Sequence, residues 1–360
     1  MKLVFFLPRQ HTNLNGLYEF LSKQDISITS IVNSIYKIED HSLIKPIKIE
    51  QSFYSKTLEF IFKNIRNKFI FPRVKIIYNL INKNDYVILR NQSIILSIYV
   101  LFISKFLKKK IILYLQEPIN FIQKNQSNKI KYLILSKVFD VLYFTPILGP
   151  KRIYSEKIIY LPFFLTESFY KYSKKKNEVI TITMIGKFHK RKNHKFFIEL
   201  TKILNKEIEI KPIIIGSNPQ KEIDNYTEIV DRIESLKVKN IKIYKNINNS
   251  KVIDILNESH IFILPSYNEP AAFSPYEAMA CGNILFLNKD NRIKYNFESL
   301  KNVHEFDINN TFSTAKKIIN VVRNKYIKEK HIEIKDEILY RDRVYKRYLR
   351  IILNNAKKLQ

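Results

Sequence analysis

Two carboxylates and a run of cations are the residues of this chain whose types and spacing could do chemistry. Glu269 and Glu277 stand eight apart in PSYNEPAAFSPYEAMACG, residues 265–282. The first falls in a loop and the second in the first turn of a helix, so the backbone amides of residues 270–274 lie between two carboxylates. This order suits a polyhydroxylated ligand that carries phosphate, with carboxylates accepting from sugar hydroxyls while amides and cations meet the phosphate. The cations stand in GKFHKRKNHKFFIEL, residues 186–200. There Gly186 permits a tight turn after a strand, and Lys187, Arg191 and Lys192 precede a helix. A third segment, GSNP at residues 216–219, puts Gly216 where a strand ends and a ligand can approach the backbone closely. Each feature also has a plainer reading. The basic loop reads equally as a solvated turn. Ser274-Pro275-Tyr276-Glu277 reads as a capping box, with serine as N-cap and glutamate at the third helical position. Cys281 reads as a small buried residue near a helix end that Gly282 closes.

Composition removes several alternatives. The five glycines, at positions 16, 149, 186, 216 and 282, are never closer than thirty residues. No Gly-x-Gly-x-x-Gly and no Walker phosphate loop is therefore present, which excludes the dinucleotide-binding and P-loop classes. One cysteine cannot form an internal disulfide. At 46% hydrophobic and 13% aromatic the chain can bury a substantial core, and 360 residues suggest two domains.

Short apolar runs alternate with longer periodic segments, the pattern of a parallel sheet with covering helices. The spacing predicts strands at 3–7, 26–32, 86–89, 111–115 and 141–144, with helices at 16–23, 58–68 and 94–107. The polar stretch KYSKKKN, residues 171–177, breaks this pattern. Beyond it strands are predicted at 180–185, 208–215, 241–244, 261–264 and 284–287, and helices at 195–204, 221–236, 250–258 and 275–280. The expected organisation is an α/β chain of two Rossmann-like, doubly wound domains, 1–170 and 171–340, followed by a carboxy-terminal helix over 341–360 that packs back on the first. Two such domains imply a central cleft, with ligands bound beyond the carboxyl ends of the strands. The longest apolar stretch, Ile94 to Ile103, falls short of a membrane span of roughly twenty residues. The opening MKLVFFLP reads as a first strand, so a cytoplasmic location is expected.

The order GKFHKRKNHKFFIEL, IIIGSNP, SHIFILPSYNEPAAFSPYEAMACGNILFL resembles the donor-binding domain of the family-four retaining glycosyltransferases of the GT-B fold, the glycosyl transferases group 1. The likeness is good over roughly 178–300 and loose over the first half, where KIIYLPFF at 157–164 resembles the segment before the interdomain linker. The resemblance implies a nucleotide-diphosphate sugar donor, UDP- or GDP-linked, a saccharide or lipid-linked acceptor hydroxyl, and a product in surface polysaccharide or glycoconjugate biosynthesis. It implies that Lys187 and Lys192 neutralise the donor diphosphate, that Glu277 binds the ribose hydroxyls, that Glu269 contacts the transferred sugar, and that the amides of Ala272 and Phe273 meet the diphosphate. Gly186, Gly216 and Gly16 are placed with the donor, and Gln116 and Glu117 on the acceptor side. No cofactor or metal is expected. The chain departs from the family in several places. Lys187 replaces the usual arginine, Asn193 stands where glycine is common, Ala271 and Ala272 replace Phe-Gly, and Gln116-Glu117 follow a strand where histidine is frequent.

The net charge of +29 is spread evenly, with +14 carried by residues 1–170 and +15 by the rest. An even spread argues against a nucleic-acid module, which concentrates its cations. Two rival classes remain: a GT-B-fold sugar-nucleotide epimerase, and a basic binder of nucleic acid or of an anionic membrane surface. The latter draws on YRDRVYKRYLRIILNNAKKLQ at residues 340–360. A peripheral place at an anionic membrane surface is compatible with the transferase reading as well.

Overall fold

The computed structural model describes residues 1–9, 14–35, 43–49, 72–90, 94–116, 134–149, 157–160, 163–170, 179–217, 225–269, 271–297 and 300–324. The chain divides into two compact units, Met1–Thr166 and Glu167–Gln360. The 3-10 turn Glu167–Tyr170, which the sequence reading counts with the first domain, belongs to the second.

The first unit holds strands β1 (Lys2–Arg9), β2 (Ser27–Ser34), β3 (Ile47–Lys48), β4 (Tyr86–Leu89), β5 (Lys110–Tyr114), β6 (Leu142–Thr145) and β7 (Ile158–Tyr160). They form one parallel sheet in the order β3-β2-β1-β4-β5-β6-β7. Helices α1 (Asn15–Ser22), α2 (Val74–Asn82) and α3 (Ile94–Phe106) accompany it. Val4, Phe6, Val87 and Leu89 of the central strands pack with Ile77, Ile81, Leu96 and Val100 of α2 and α3. Leu3, Phe5 and Leu7, which alternate with Val4 and Phe6, are also buried. A strand covered on both faces reads as a continuous apolar run, and for that reason LVFFL was legible as one.

The second unit repeats the plan with β8 (Ile180–Ile185), α4 (His194–Leu204), β9 (Ile210–Gly216), α5 (Tyr226–Ser235), β10 (Lys242–Lys245), α6 (Asn249–Glu258), β11 (Ile261–Leu264), α7 (Ser274–Ala280), β12 (Ile284–Asn288), β13 (Val303–Phe306) and α8 (Thr311–Arg323). Its parallel order is β10-β9-β8-β11-β12-β13. Asparagines cap three of its helices: Oδ1 of Asn193, Asn248 and Asn310 accepts from the amides of Phe196, Lys251 and Ser313. Both sheets reverse their strand order once, between β1 and β4 and between β8 and β11. A doubly wound sheet opens a crevice at such a reversal.

The strands missed by the periodicity are short or carry little apolar signal. Strands β3 and β7 have two and three residues, and β13 reads VHEF, with one fully buried side chain. Helices α2 and α8 were also missed. The second mixes polar residues into its apolar stripe, whereas the first, VKIIYNLIN, has nine residues and carries the helical spacing at Ile77 and Ile81. The helices predicted at 58–68 and 341–360 lie outside the described residues.

Gly16 marks a close approach within the first unit. A Cβ there would lie 2.5 Å from the carbonyl carbon of Leu165 and 2.6 Å from the oxygen of Phe164, both backbone atoms that cannot rotate away. Gly16→Ala is therefore expected to destabilise the protein by about 1–3 kcal/mol, the range for overpacking a well-packed site. The urea midpoint checks this, and an unchanged midpoint would remove the packing role.

Candidate functional site

The site is assembled by the two loops that flank the strand-order reversal of the second sheet. After β8 the chain passes Gly186 and Lys187 and winds through a 3-10 turn, Lys190–Lys192, into α4. The turn is fixed at both ends. His189 Nδ1 accepts from the amide of Arg191 at 3.1 Å, and Asn193 adopts a left-handed conformation with φ 54° before capping α4. Asparagine is among the few residues with a side chain that tolerate that region, which accounts for Asn193 where glycine is common. Gly186 leaves room for Lys192, whose Cγ and Cδ would lie 2.9 and 3.0 Å from a Cβ at position 186.

Lys192 thereby reaches Glu269 in the loop after β11, Nζ donating to Oε2 at 2.6 Å. Arg191 donates to the other oxygen, Oε1, at 3.3 Å. The Glu269 side chain is 5% exposed, that of Lys192 14% and that of Arg191 44%. A buried carboxylate is thus held by one enclosed cation and one more open to water, and the resemblance assigned no role to Arg191. The two loops are also tied through backbone, since the amide of Tyr267 donates to the Arg191 carbonyl at 2.8 Å.

A further support was not legible in the sequence. Asn291, fully buried after β12, accepts from the Glu269 amide through Oδ1 at 3.0 Å and donates through Nδ2 to the Leu264 carbonyl at 3.3 Å. Asn288 Nδ2 donates to the Ser266 carbonyl at 3.0 Å. These two asparagines hold the loop that carries Glu269. The available signal was a pair of amides closely following a strand, a position where asparagine side chains commonly bond backbone.

Glu277 stands in the first turn of α7, as expected, but the capping box is not formed. The helix starts at Ser274 with Phe273 as its cap and no side-chain cap bond, so Ser274 lies inside the helix and Pro275 follows it. The amides of Tyr276 and Glu277 turn to the Phe273 carbonyl at 3.0 and 3.4 Å. Among the described residues nothing donates a hydrogen bond to the Glu277 carboxyl. Burial pushes it up to about 7. Ala272 is buried just ahead of Phe273, Gly282 closes α7 with φ 74°, and Cys281 is a buried free thiol. Lys187 is half-buried at the mouth of the β8 loop, and Gly216 ends β9, its carbonyl accepting from Asn246 at 2.9 Å.

Beside the basic loop, a cavity of about 670 Å³ is lined by His189, Lys190, His194, Asn225, Arg232 and Tyr267, among others. Burial and the neighbouring Lys192 push the His194 imidazole down to about 4, so it is neutral near pH 7.

In the first unit a polar cluster gathers where its own strand order reverses. Arg90, directly after β4, donates through its NH2 nitrogen to Gln116 Oε1 at 2.6 Å. Its NH1 nitrogen is buried without a hydrogen-bond partner among the described residues. Burial lowers the Arg90 pKa and raises those of the Tyr18 and Tyr114 phenols. Gln116 thus has a structured setting built on Arg90, which the sequence reading did not single out. Glu117 lies outside the described residues. Gly16, in α1, is taken up by packing against Leu165.

Residues 166–337 match the family described as glycosyl transferases group 1. Among solved structures the chain is similar to a glycosyltransferase from Rickettsia africae ESF-5, at 15% identity and TM-score 0.71 over 97% of each chain. It is also similar to Anabaena Alr3699/HepE in complex with UDP-glucose, at 12% identity and TM-score 0.68 over 99% of each. The lipopolysaccharide outer core galactosyltransferase WaaB, in its apo form, aligns at 15% identity and TM-score 0.65 over 99% of this chain and 100% of its own. No curated protein sequence matches significantly. The fold is that of the GT-B glycosyltransferases, two Rossmann-like units in one chain, as the sequence resemblance implied.

Proposed function

We propose that this chain, whose residues 166–337 carry the group 1 glycosyl transferase domain, moves a sugar from a nucleotide diphosphate donor to a hydroxyl of a saccharide or lipid-linked acceptor, with retention at the anomeric carbon. The observation that carries the reading is the meeting of Lys192 and Glu269 at 2.6 Å at the reversal point of the second sheet. A cation and a buried carboxylate in one small volume suit the two ends of a phosphorylated sugar.

In this reading Lys187, Lys192 and the amides of Ala272 and Phe273 meet the diphosphate; the Lys192 stem fills the space beside Gly186 and the Phe188 ring that beside Gly216, so both glycines serve packing where close approach of a ligand was expected. Glu269 accepts from hydroxyls of the transferred sugar. The Glu277 carboxylate, to which nothing among the described residues donates, accepts from the ribose hydroxyls. The acceptor oxygen bonds to the anomeric carbon as the bond from that carbon to the departing phosphate oxygen breaks, and that phosphate takes the acceptor proton on the same face. The protein supplies positioning and charge stabilisation, usually the largest contributions when no covalent intermediate is formed. Lysines and amides carry the leaving charge, so the proposal needs no metal. Gln116 and Arg90 are proposed to meet the acceptor. UDP-glucose is the ligand of the Anabaena relative and WaaB is a galactosyltransferase, which supports a UDP-hexose donor and a product in polysaccharide or glycoconjugate synthesis.

Thermal unfolding with UDP, GDP and ADP tests the donor site. One nucleotide at a hundred times its Kd should add about 2.7 kcal/mol of stability. No stabilisation by any of the three would refute the donor site. An isomerised sugar formed from the donor alone would instead identify an epimerase.

A further inference from the structure

Helix α3 reads IILSIYVLFISKF and is apolar on every side. A helix of that composition is ordinarily enclosed by protein or by lipid. Here Leu96, Val100 and Ser104 are fully buried, whereas Ile98, Phe102 and Phe106 are 45%, 61% and 78% exposed. A spacing of four places these three one above another on a single face. The apolar surface continues past the helix. The Phe102 ring meets Phe139 edge-on at 5.2 Å, and Ile134 and Val138 just before it are each about half exposed.

Lysines frame this surface. Lys105 lies 5.5 Å over the Phe139 ring and donates to the Val138 carbonyl at 2.7 Å, tying the helix to the 134–139 segment. Lys108 and Lys137 are exposed beside it, no acidic residue occurs between positions 91 and 110, and the exposed Asp140 that follows Phe139 is paired with Lys157 at 2.6 Å. Thirteen residues make a helix of about 20 Å, too short to cross a bilayer and long enough to lie in its surface. Phenylalanine and isoleucine on one face with lysines at its border is the composition of helices that sit at the lipid–water boundary.

We propose that the outward face of α3, continued by residues 134–138, docks this protein on an anionic membrane surface. A second copy of the chain fits the same face poorly. It would set one row of lysines against another in molecules that each carry +29, whereas an anionic surface neutralises them.

Co-sedimentation of the full chain with phosphatidylcholine vesicles, with and without phosphatidylglycerol, tests this at low and high salt. Binding is expected only to the vesicles with phosphatidylglycerol, weakened by salt, and about tenfold or more weaker for the double variant Phe102→Ser, Phe106→Ser. Both positions are exposed, so the variant should melt with the wild type. If it does not, Phe106→Ser alone replaces it, with at least a severalfold loss expected. Undiminished binding by the folded variant, or no binding by the wild type, overturns the proposal. So does a wild-type dimer in gel filtration that the variant dissociates, which would make the face a contact between copies. The readout is vesicle binding, so the result stands apart from sugar transfer.

Discussion

Lys192→Ala is expected to lower turnover by about a hundredfold or more, because one cation on a departing phosphate is worth about 3 kcal/mol of transition-state stabilisation. The structure adds a second consequence. Without Lys192 the Glu269 carboxylate, 5% exposed, keeps only Arg191, whose side chain is 44% exposed and 3.3 Å away. Removing one partner of a buried pair leaves a charge poorly compensated, so the variant should also melt at a lower temperature. The double variant Lys192→Ala, Glu269→Gln should recover much of that stability, since a neutral amide replaces the stranded carboxylate, yet it should stay inactive. Recovery of transfer along with the melting temperature would reduce Lys192 to a structural role. Near-normal transfer by Lys192→Ala alone would sink the assignment.

Glu277→Gln should have two separable effects. Burial raises the folded carboxyl from its ordinary 4.5 to about 7, so between these values the folded protein holds a proton that the unfolded chain releases. The sign follows: this contribution to stability is fully present below about pH 4.5 and is lost as pH rises through 7. The loss is at most about 3 kcal/mol. Glutamine does not ionise, so the variant should melt with the wild type at pH 4 and above it at pH 8. Donor affinity should move the other way. A carboxylate accepting from ribose hydroxyls must be ionised, so wild-type affinity should rise through pH 7. The variant should bind donor about tenfold more weakly or worse above pH 7, with a flat profile, the size expected for hydrogen bonds to a charged group. A capping role would leave affinity unchanged, and the absence of a side-chain cap at α7 already argues against one.

The two supports of Glu269 show how differently legible the site was. Its identity and its loop could be read from Glu269 and Glu277 flanking a short amide-bearing segment after an apolar run. Asn291 could not, because asparagine after a strand is common and its value here lies in two bonds to backbone atoms 22 and 27 residues away. Arg191 was visible as one cation among several in KFHKRKNHK, but only the 3-10 turn, held by His189 and Asn193, decides that it and Lys192 both reach the carboxylate. The same limit separates the missed elements from the rest. A strand buried on both faces announces itself over four or five apolar residues, whereas β3, β7 and β13 are defined by pairing with β2, β6 and β12.

By itself the sequence determined the α/β plan, the absence of a glycine-rich phosphate loop, and the residue types that could bind a phosphorylated sugar. These depend on periodicity and composition, which are local quantities. Tertiary structure decided which cation pairs with which carboxylate, that the capping box around Glu277 is not formed, and that the apolar run Ile94 to Ile103 belongs to a helix with Ile98 and Phe102 exposed on one side. Those outcomes turn on burial and on contacts between distant segments. The five glycines illustrate both: their spacing excluded whole classes at sight, while the reason for Gly16 and Gly186 is a backbone or a lysine stem that only folding brings against them.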